Sequence, residues 1–134
     1  MAESFEISSF FPAMSAERIY RSWLDSGEHS AFTGSPAQID PGVGGKFTAW
    51  DGYIYGKTLK VEPFQRILQA WRTTEFPEQR PDSQLEILIE EVDGGAKVTL
   101  IHTAIPDGQA EDYRQGWEEH YFEPMQRYFS AEQR

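Results

Sequence analysis

The stretch EDYRQGWEEHYFEPMQRYF (residues 111–129) carries the strongest structural signal in the sequence. At about 3.6 residues per turn its large side chains fall on one stripe of a helix, which indicates that this stripe faces a core. The stripe comprises Tyr113, Trp117, His120, Tyr121, Pro124 and Tyr128, and Met125 and Phe129 widen it. Pro124 removes one helical hydrogen bond, so we expect a kink near Tyr121. Gly116 predicts the close approach of another backbone.

The residues before this helix predict β-strands that are joined by tight turns. The predicted strands are residues 5–11, 38–39, 46–50, 53–61, 66–74, 84–91 and 97–104. Asp51-Gly52 is typical of a two-residue hairpin turn. Leu85, Ile87 and Ile89 alternate with polar residues, so they predict one buried strand face. Because short turns join neighbouring strands, we expect an antiparallel sheet.

Two short helices are predicted after the first strand. Ser15 is the expected N-cap of the first, and Asp25 with Glu28 predicts a capping box at the start of the second. Gly34 is expected to end the second helix. The order of elements predicts an α+β fold over residues 1–134, a single domain with a curved antiparallel sheet of about six to seven strands, two short helices and one long C-terminal helix.

The composition excludes several classes of protein. The chain has 134 residues, with 12 Lys and Arg against 22 Asp and Glu, so its net charge is −10. We do not expect so acidic a chain to bind nucleic acids or anionic membranes, because both require a basic patch. No apolar run approaches the roughly 20 residues that span a bilayer. The sequence has no cysteine and starts without the features of a signal peptide, so we expect a cytoplasmic protein.

Short catalytic and cofactor motifs are missing from the sequence. Gly42-Val43-Gly44-Gly45-Lys46 looks like a phosphate-binding loop, but Phe47 follows the lysine where a Walker motif has Ser or Thr. G-x-S-x-G and H-E-x-x-H do not occur, and the three histidines lack the spacing of metal ligands. We therefore predict no metal and no cofactor.

The histidines differ in their expected positions. His29 is predicted on an exposed helix face. His102 shares a strand face with Val98 and Leu100, so it is either a core histidine with a hydrogen-bond partner or a polar group that orients a ligand in an apolar cavity. His120 lies at the edge of the helical stripe. If His102 and His120 both point inward, they would form an acid/base pair, and they are the only catalytic candidates.

Several blocks of sequence resemble a known family. These blocks are Phe32-Thr33-Gly34-Ser35-Pro36-Ala37-Gln38-Ile39-Asp40-Pro41, Val43-Gly44-Gly45-Lys46-Phe47, Asp51-Gly52 with Gly56, Gln115-Gly116-Trp117 and Tyr121-Phe122-Glu123. They are similar to the C-terminal domain of the activator of heat shock protein 90 ATPase, and the resemblance extends over roughly residues 3 to 130. It implies the helix-grip fold of START-like (SRPBCC) and birch-pollen-allergen-like domains. Such domains often hold a hydrophobic cavity between the long helix and the sheet.

The resemblance and the aromatic content together suggest three functions. The first is a non-enzymatic module that binds a small hydrophobic molecule, with these expected ligand-binding residues: Trp23, Phe32, Phe47, Trp71, Leu85, Ile87, Leu100, His102, Trp117 and Tyr121. The same aromatic residues could instead form a filled core. The second function is a co-chaperone-like domain that contacts a chaperone through its acidic surface or residues 32–47. The third is a cyclase or hydrolase that uses His102 or His120. We expect a monomer or a homodimer.

Overall fold

One curved antiparallel sheet forms the framework of the protein. The structure is a computed structural model that describes residues 2–132. Its strands are β1 (Glu3–Pro12), β2 (Gln38–Ile39), β3 (Lys46–Ala49), β4 (Ile54–Glu62), β5 (Arg66–Thr73), β6 (Ser83–Val92) and β7 (Gly95–Ile105). The spatial order is β1-β7-β6-β5-β4-β3-β2, and every neighbouring pair is antiparallel. The predicted strands and their antiparallel pairing are confirmed.

The turn between β3 and β4 differs from the prediction. Ala49 pairs with Ile54, so four residues form the turn instead of two. Trp50, Asp51 and Gly52 adopt positive φ angles of 52°, 56° and 89°. Non-glycine residues rarely adopt this left-handed conformation, and two in succession are unusual. The extra turn residues place the Trp50 side chain next to the C-terminal helix.

Helices α1 (Ala16–Trp23) and α2 (Ser26–Thr33) begin and end as the sequence predicts. Ser15 accepts a hydrogen bond from the Arg18 backbone N–H, and Asp25 accepts one from Glu28 over 2.8 Å. Gly34 ends α2 in the left-handed conformation with φ 78°. The capping box is only half formed, because the Glu28 carboxylate binds the Arg18 guanidinium instead of the Asp25 backbone.

The C-terminal helical region consists of α3 (Ala110–Trp117), a π-helical segment (Glu118–Phe122) and α4 (Glu123–Ala131). The predicted irregularity near Tyr121 takes the form of this π-helical segment, which ends just before Pro124. Proline lacks a backbone N–H, so the regular hydrogen-bond pattern cannot continue through it. Among residues 2–132 no helix is long and apolar enough to cross a membrane.

The core lies between the concave face of the sheet and the helices. The predicted strand face of β6 is buried, and Leu85, Ile87, Val98 and Leu100 are fully inaccessible to solvent. The helical region adds buried side chains to the same layer: Tyr113, Trp117, Tyr121, Phe122, Met125 and Phe129. The α+β architecture, with a long C-terminal helical region across a curved sheet, is therefore confirmed.

Candidate functional site

An open cleft of about 500 Å³ lies at one end of the helical region. It is bounded by α3 and the π-helical segment on one side, and by the β3–β4 turn and β5 on the other. Its lining residues are Trp50, Tyr53, Ile54, Trp71, Asp112, Tyr113, Gly116, Trp117, His120 and Tyr121. The volume falls within the usual range for small-molecule sites, about 300–1,000 Å³.

Aromatic rings form the walls of the cleft. Trp71 and Trp117 have ring centroids 5.6 Å apart, and Tyr121 contacts Trp117 at 4.6 Å. Tyr113 packs edge-on against Trp71 at 5.1 Å. Such distances are those of favourable aromatic pairs, so each ring holds its neighbour in place. The cleft therefore has rigid, flat and mostly apolar surfaces.

Gly116 gives the cleft its depth. A Cβ atom built on Gly116 would have no heavy atom within 4 Å outside its own helix. The predicted close approach of another backbone is therefore wrong, because the space beside Gly116 is open. Glycine inside a helix is less stable than alanine by about 1 kcal/mol. The helix is therefore less stable at this lining position, where a larger side chain would fill part of the cleft.

Polar groups surround the mouth of the cleft. Asp112 and His120 are exposed, and the His120 ring lies edge-to-face against Trp50 at 5.6 Å. The Tyr53 hydroxyl donates a hydrogen bond to the Glu75 carboxylate. Burial and this carboxylate raise the pKa of Tyr53 above its ordinary value, so the hydroxyl keeps its proton at neutral pH.

Tyr113 is held by two hydrogen bonds in the wall of the cleft. Its hydroxyl donates to Gln109 Oε1 at 2.6 Å and lies 2.7 Å from Thr73 Oγ1. Since the only Tyr113 proton is used for Gln109, Thr73 acts as the donor in the second bond. Partial burial raises the pKa of Tyr113, so this hydroxyl also remains neutral. Both tyrosines are therefore fixed hydrogen-bonding groups.

His102 lies behind the aromatic wall and not inside the cleft. Its ring is fully buried; Nδ1 accepts from the Trp117 indole N–H at 3.2 Å, and Nε2 lies 2.9 Å from Ser83 Oγ. Burial lowers the pKa of His102 to about 3. The prediction of a core histidine with a hydroxyl partner is confirmed.

His29 is buried, so the prediction that it lies on an exposed face is wrong. Its Nδ1 is 2.9 Å from the carbonyl oxygen of Trp23, and its Nε2 is 2.8 Å from the Tyr121 hydroxyl. Burial lowers the pKa of His29 to about 4, although the bond to Trp23 opposes that shift. The short helix α2 packs this face against the C-terminal helical region, which explains the burial.

The structure does not bring His102 and His120 together as an acid/base pair. His120 is exposed at the mouth of the cleft, whereas His102 is enclosed in the core and both of its ring nitrogens have partners. Among residues 2–132 no group of three His, Asp or Glu side chains could hold a metal ion. Besides the tyrosines, the titratable side chains that line the cleft are Asp112 and His120.

The predicted ligand-binding residues divide into three groups. Trp71, Trp117 and Tyr121 line the open cleft. Trp23 and Phe47 border a void of about 10 Å³ behind those rings, which is room for about one water molecule. The remaining predicted residues are packed in the core: Phe32, Leu85, Ile87, Leu100 and His102.

Several lining residues were missing from the prediction: Trp50, Tyr53, Ile54, Asp112, Tyr113 and Gly116. Four of the lining positions follow one face of a helix, namely Tyr113, Gly116, Trp117 and His120, spaced by three, four and seven residues. This spacing is visible in the sequence and could have identified the helical wall. The Trp50 position depends on the left-handed turn, for which the sequence has no clear signal.

The comparisons with known proteins agree on one family. The sequence profile described as "Activator of Hsp90 ATPase homolog 1-like protein" matches residues 13–130. The human protein named activator of 90 kDa heat shock protein ATPase homolog 1 is 30% identical over 86% of this chain. The chain spans only 34% of the length of that relative.

Solved structures share the fold. A Plasmodium falciparum protein described as an HSP90 activator superposes with a TM-score of 0.87 at 24% identity, covering 95% of this chain and 96% of that one. The solution structure of a Colwellia psychrerythraea dimer of the same family name has a TM-score of 0.70 at 14% identity, and each chain is 87% covered. Since the profile matches most of the sequence, the chain belongs to the family of proteins like activator of Hsp90 ATPase homolog 1.

Proposed function

We propose that the chain is a non-enzymatic binding module that holds a small, mostly apolar molecule in the aromatic cleft. The observation that carries the proposal is the open space beside Gly116, which the rings of Trp71, Trp117 and Tyr121 surround without filling. The cleft is open to water and its walls are mostly apolar. A ligand with a flat face would therefore remove apolar surface from water.

The polar groups of the cleft favour binding over catalysis. Tyr53 and Tyr113 are fixed by hydrogen bonds and keep their protons. The buried His102 has no free nitrogen to exchange a proton with a substrate. His120 is therefore the group to test for a cyclase or hydrolase reaction. If such a reaction exists, His120→Gln would lower its turnover while leaving ligand binding in place.

A thermal-shift screen of fatty acids, sterols, flavonoids and polyketide-like aromatics tests the binding proposal. A compound present at about 100 times its Kd stabilises the protein by about 2.7 kcal/mol. Gly116→Leu should abolish this stabilisation, because its side chain occupies the cleft. Gln115→Leu is the matched control, since Gln115 is exposed on the same helix and does not line the cleft. A shift that Gly116→Leu retains would place the ligand elsewhere and refute the proposal.

Contact with a chaperone is the second candidate, and the family membership favours it. The human relative is named as an activator of the 90 kDa heat shock protein ATPase. Within residues 32–47, Val43 is the large apolar side chain most exposed to solvent, at 64%. A cytoplasmic location would accompany this function. This chain spans 34% of the length of that relative, so its effect on the ATPase activity of the chaperone must be measured directly.

Binding to purified Hsp90 at two salt concentrations tests the second candidate. An acidic surface acts through screened charges, so the complex should weaken as salt rises. Val43→Asp should reduce binding if residues 32–47 form the contact. Val92→Asp is the control, because Val92 is 40% exposed in the β6–β7 hairpin, away from that segment. Equal binding of both variants would exclude this contact.

A further inference from the structure

We infer that the cleft selects organic cations, specifically small molecules that carry a quaternary or protonated amine on a flat or apolar body. The inference rests on the proposed function, since it names the chemical class that the cleft would hold. Three features support it: the aromatic faces, the signs of the nearby charges and the absence of a partner for an anionic group.

The aromatic faces provide the attraction. The π face of an indole or phenol carries negative potential, and Trp is the strongest partner for an ammonium group. Trp50 and Tyr53 are the lining rings with the most accessible surface, whereas Trp71 and Trp117 are each only 3% exposed and reach the cleft with small parts of their rings. The Trp117 ring cannot turn freely, because its N–H is bonded to His102. A rigid ring loses little entropy when it meets a cation.

The charges at the mouth have the sign that a cation requires. Asp112 is exposed at the mouth, and no ion pair of Asp112 is found in the described part of the chain. The Glu75 carboxylate lies near the same edge, where it accepts the Tyr53 hydrogen bond. The net charge of −10 adds a long-range attraction for cations.

An anionic ligand would find no partner in the cleft. Within residues 2–132, no lysine or arginine belongs to its lining. Arg114 lies on the side of α3 that faces β1, where it pairs with Glu111 and Glu118. Arg72 is bonded to Asp82 and to two backbone carbonyls. Asp112 and Glu75 would repel an anionic group at the mouth, so fatty acids and other organic acids are disfavoured.

Three probes of similar shape and different charge test the inference. They are phenyltrimethylammonium, its neutral analogue tert-butylbenzene, and the anion phenylacetate. Binding is followed by tryptophan fluorescence with the intact chain in mildly alkaline buffer, where imidazole groups are neutral. We expect the cation to bind about tenfold more tightly than the neutral analogue, and the anion to bind most weakly.

Two variants separate the effect of the Asp112 charge from the effect of the open space beside Gly116. Asp112→Asn should reduce the preference for the cation over the neutral analogue severalfold. Glu111→Gln is the matched control, because Glu111 precedes Asp112 and pairs with Arg114 outside the cleft. Gly116→Leu should abolish binding of all three probes.

The outcomes separate this inference from the proposed function. If the neutral analogue binds as tightly as the cation and Gly116→Leu abolishes both, the cleft is a binding site but the inference is wrong. If no probe binds, the inference is refuted, and a negative screen of the neutral compounds would refute the proposed function as well. A cation preference that Gly116→Leu leaves intact would place the cation outside the cleft and also refute the inference.

Discussion

The indole N–H of Trp117 donates a hydrogen bond to Nδ1 of His102 over 3.2 Å. This contact joins the wall of the cleft to the buried strand β7. On the other side of the ring, Ser83 Oγ donates to the Trp71 carbonyl oxygen at 2.6 Å, so it accepts from His102 Nε2–H. The neutral tautomer with its proton on Nε2 is therefore the one that satisfies every partner.

A second buried histidine has the opposite tautomer. His29 Nδ1 faces the carbonyl oxygen of Trp23, which can only accept, so the proton lies on Nδ1. The Tyr121 hydroxyl then donates to Nε2 at 2.8 Å. Trp117 and Tyr121 both line the cleft, and each is oriented by a neutral histidine. Protonation of His102 would direct its Nδ1–H at the indole N–H of Trp117, which can only donate, whereas protonation of His29 would require the Tyr121 hydroxyl to accept instead of donate.

The first prediction follows from these two histidines. Their folded pKa values, about 3 for His102 and about 4 for His29, lie below the ordinary value of 6.5. The unfolded chain therefore binds more protons in acid, and stability falls as the pH drops below about 6.5. Each histidine contributes a slope of about 1.4 kcal/mol per pH unit. Urea unfolding at about pH 7.5 and at about pH 5 should show a loss of about 4 kcal/mol.

Histidine variants identify the source of this slope. His29→Gln removes one titrating group, so its stability should change less steeply with pH than that of the wild type. His102→Gln removes the other titrating group and should reduce the slope by a similar amount. A wild-type slope that survives both His29→Gln and His102→Gln would assign the acid sensitivity to other groups.

The second prediction concerns the bond between Trp117 and His102. Trp117→Phe leaves Nδ1 of His102 buried without a donor and creates a small cavity. We expect a loss of about 2–4 kcal/mol in the free energy of unfolding. Trp23→Phe is the control, since Trp23 is as buried as Trp117 but is not the donor to His102, so it should cost about 1 kcal/mol less. Equal losses in urea unfolding would show that the hydrogen bond is unimportant.

Periodicity in the sequence predicts most of this fold. Alternation in β6 places Leu85 and Ile87 in the core, and most of the predicted helical stripe is buried, although its member His120 is exposed. Caps at Ser15 and Asp25 are also correct. These features depend on neighbours a few positions away, so a single sequence contains the necessary information.

The cleft could be predicted only in part. Trp71, Trp117 and Tyr121 were expected to contact a ligand, but whether rings fill a space or surround it depends on contacts between distant segments. His29 illustrates the same limit, because its burial depends on Tyr121, which is 92 positions away. The left-handed turn at Trp50 is stabilised by its surroundings and opposes the intrinsic preference of the residue.

The third prediction concerns a charged cluster that joins α1, α2 and α4. Glu28 binds the Arg18 guanidinium and accepts a hydrogen bond from the Tyr128 hydroxyl. These contacts lower the pKa of Glu28, with Arg18 as the main cause. Glu28→Gln should therefore cost about 1–2 kcal/mol near neutral pH, and less in acid, where the carboxylate is protonated. Glu17→Gln is the control; it disrupts only an exposed pair with Arg21 and should cost less than about 0.5 kcal/mol. Equal costs in urea unfolding would contradict the role assigned to Glu28.

The fourth prediction compares two glycines. Gly116→Ala should stabilise the protein by about 0.5–1 kcal/mol, because Gly116 is inside a helix and its added Cβ meets open space. Gly56→Ala should strongly destabilise it, since a Cβ at Gly56 would lie 1.9 Å from the carbonyl oxygen of Ala70 on the paired strand β5. Thermal unfolding of the two variants measures both effects. A destabilising Gly116→Ala would show that the space beside this helix is occupied. That result would contradict the proposal that the cleft is a binding site.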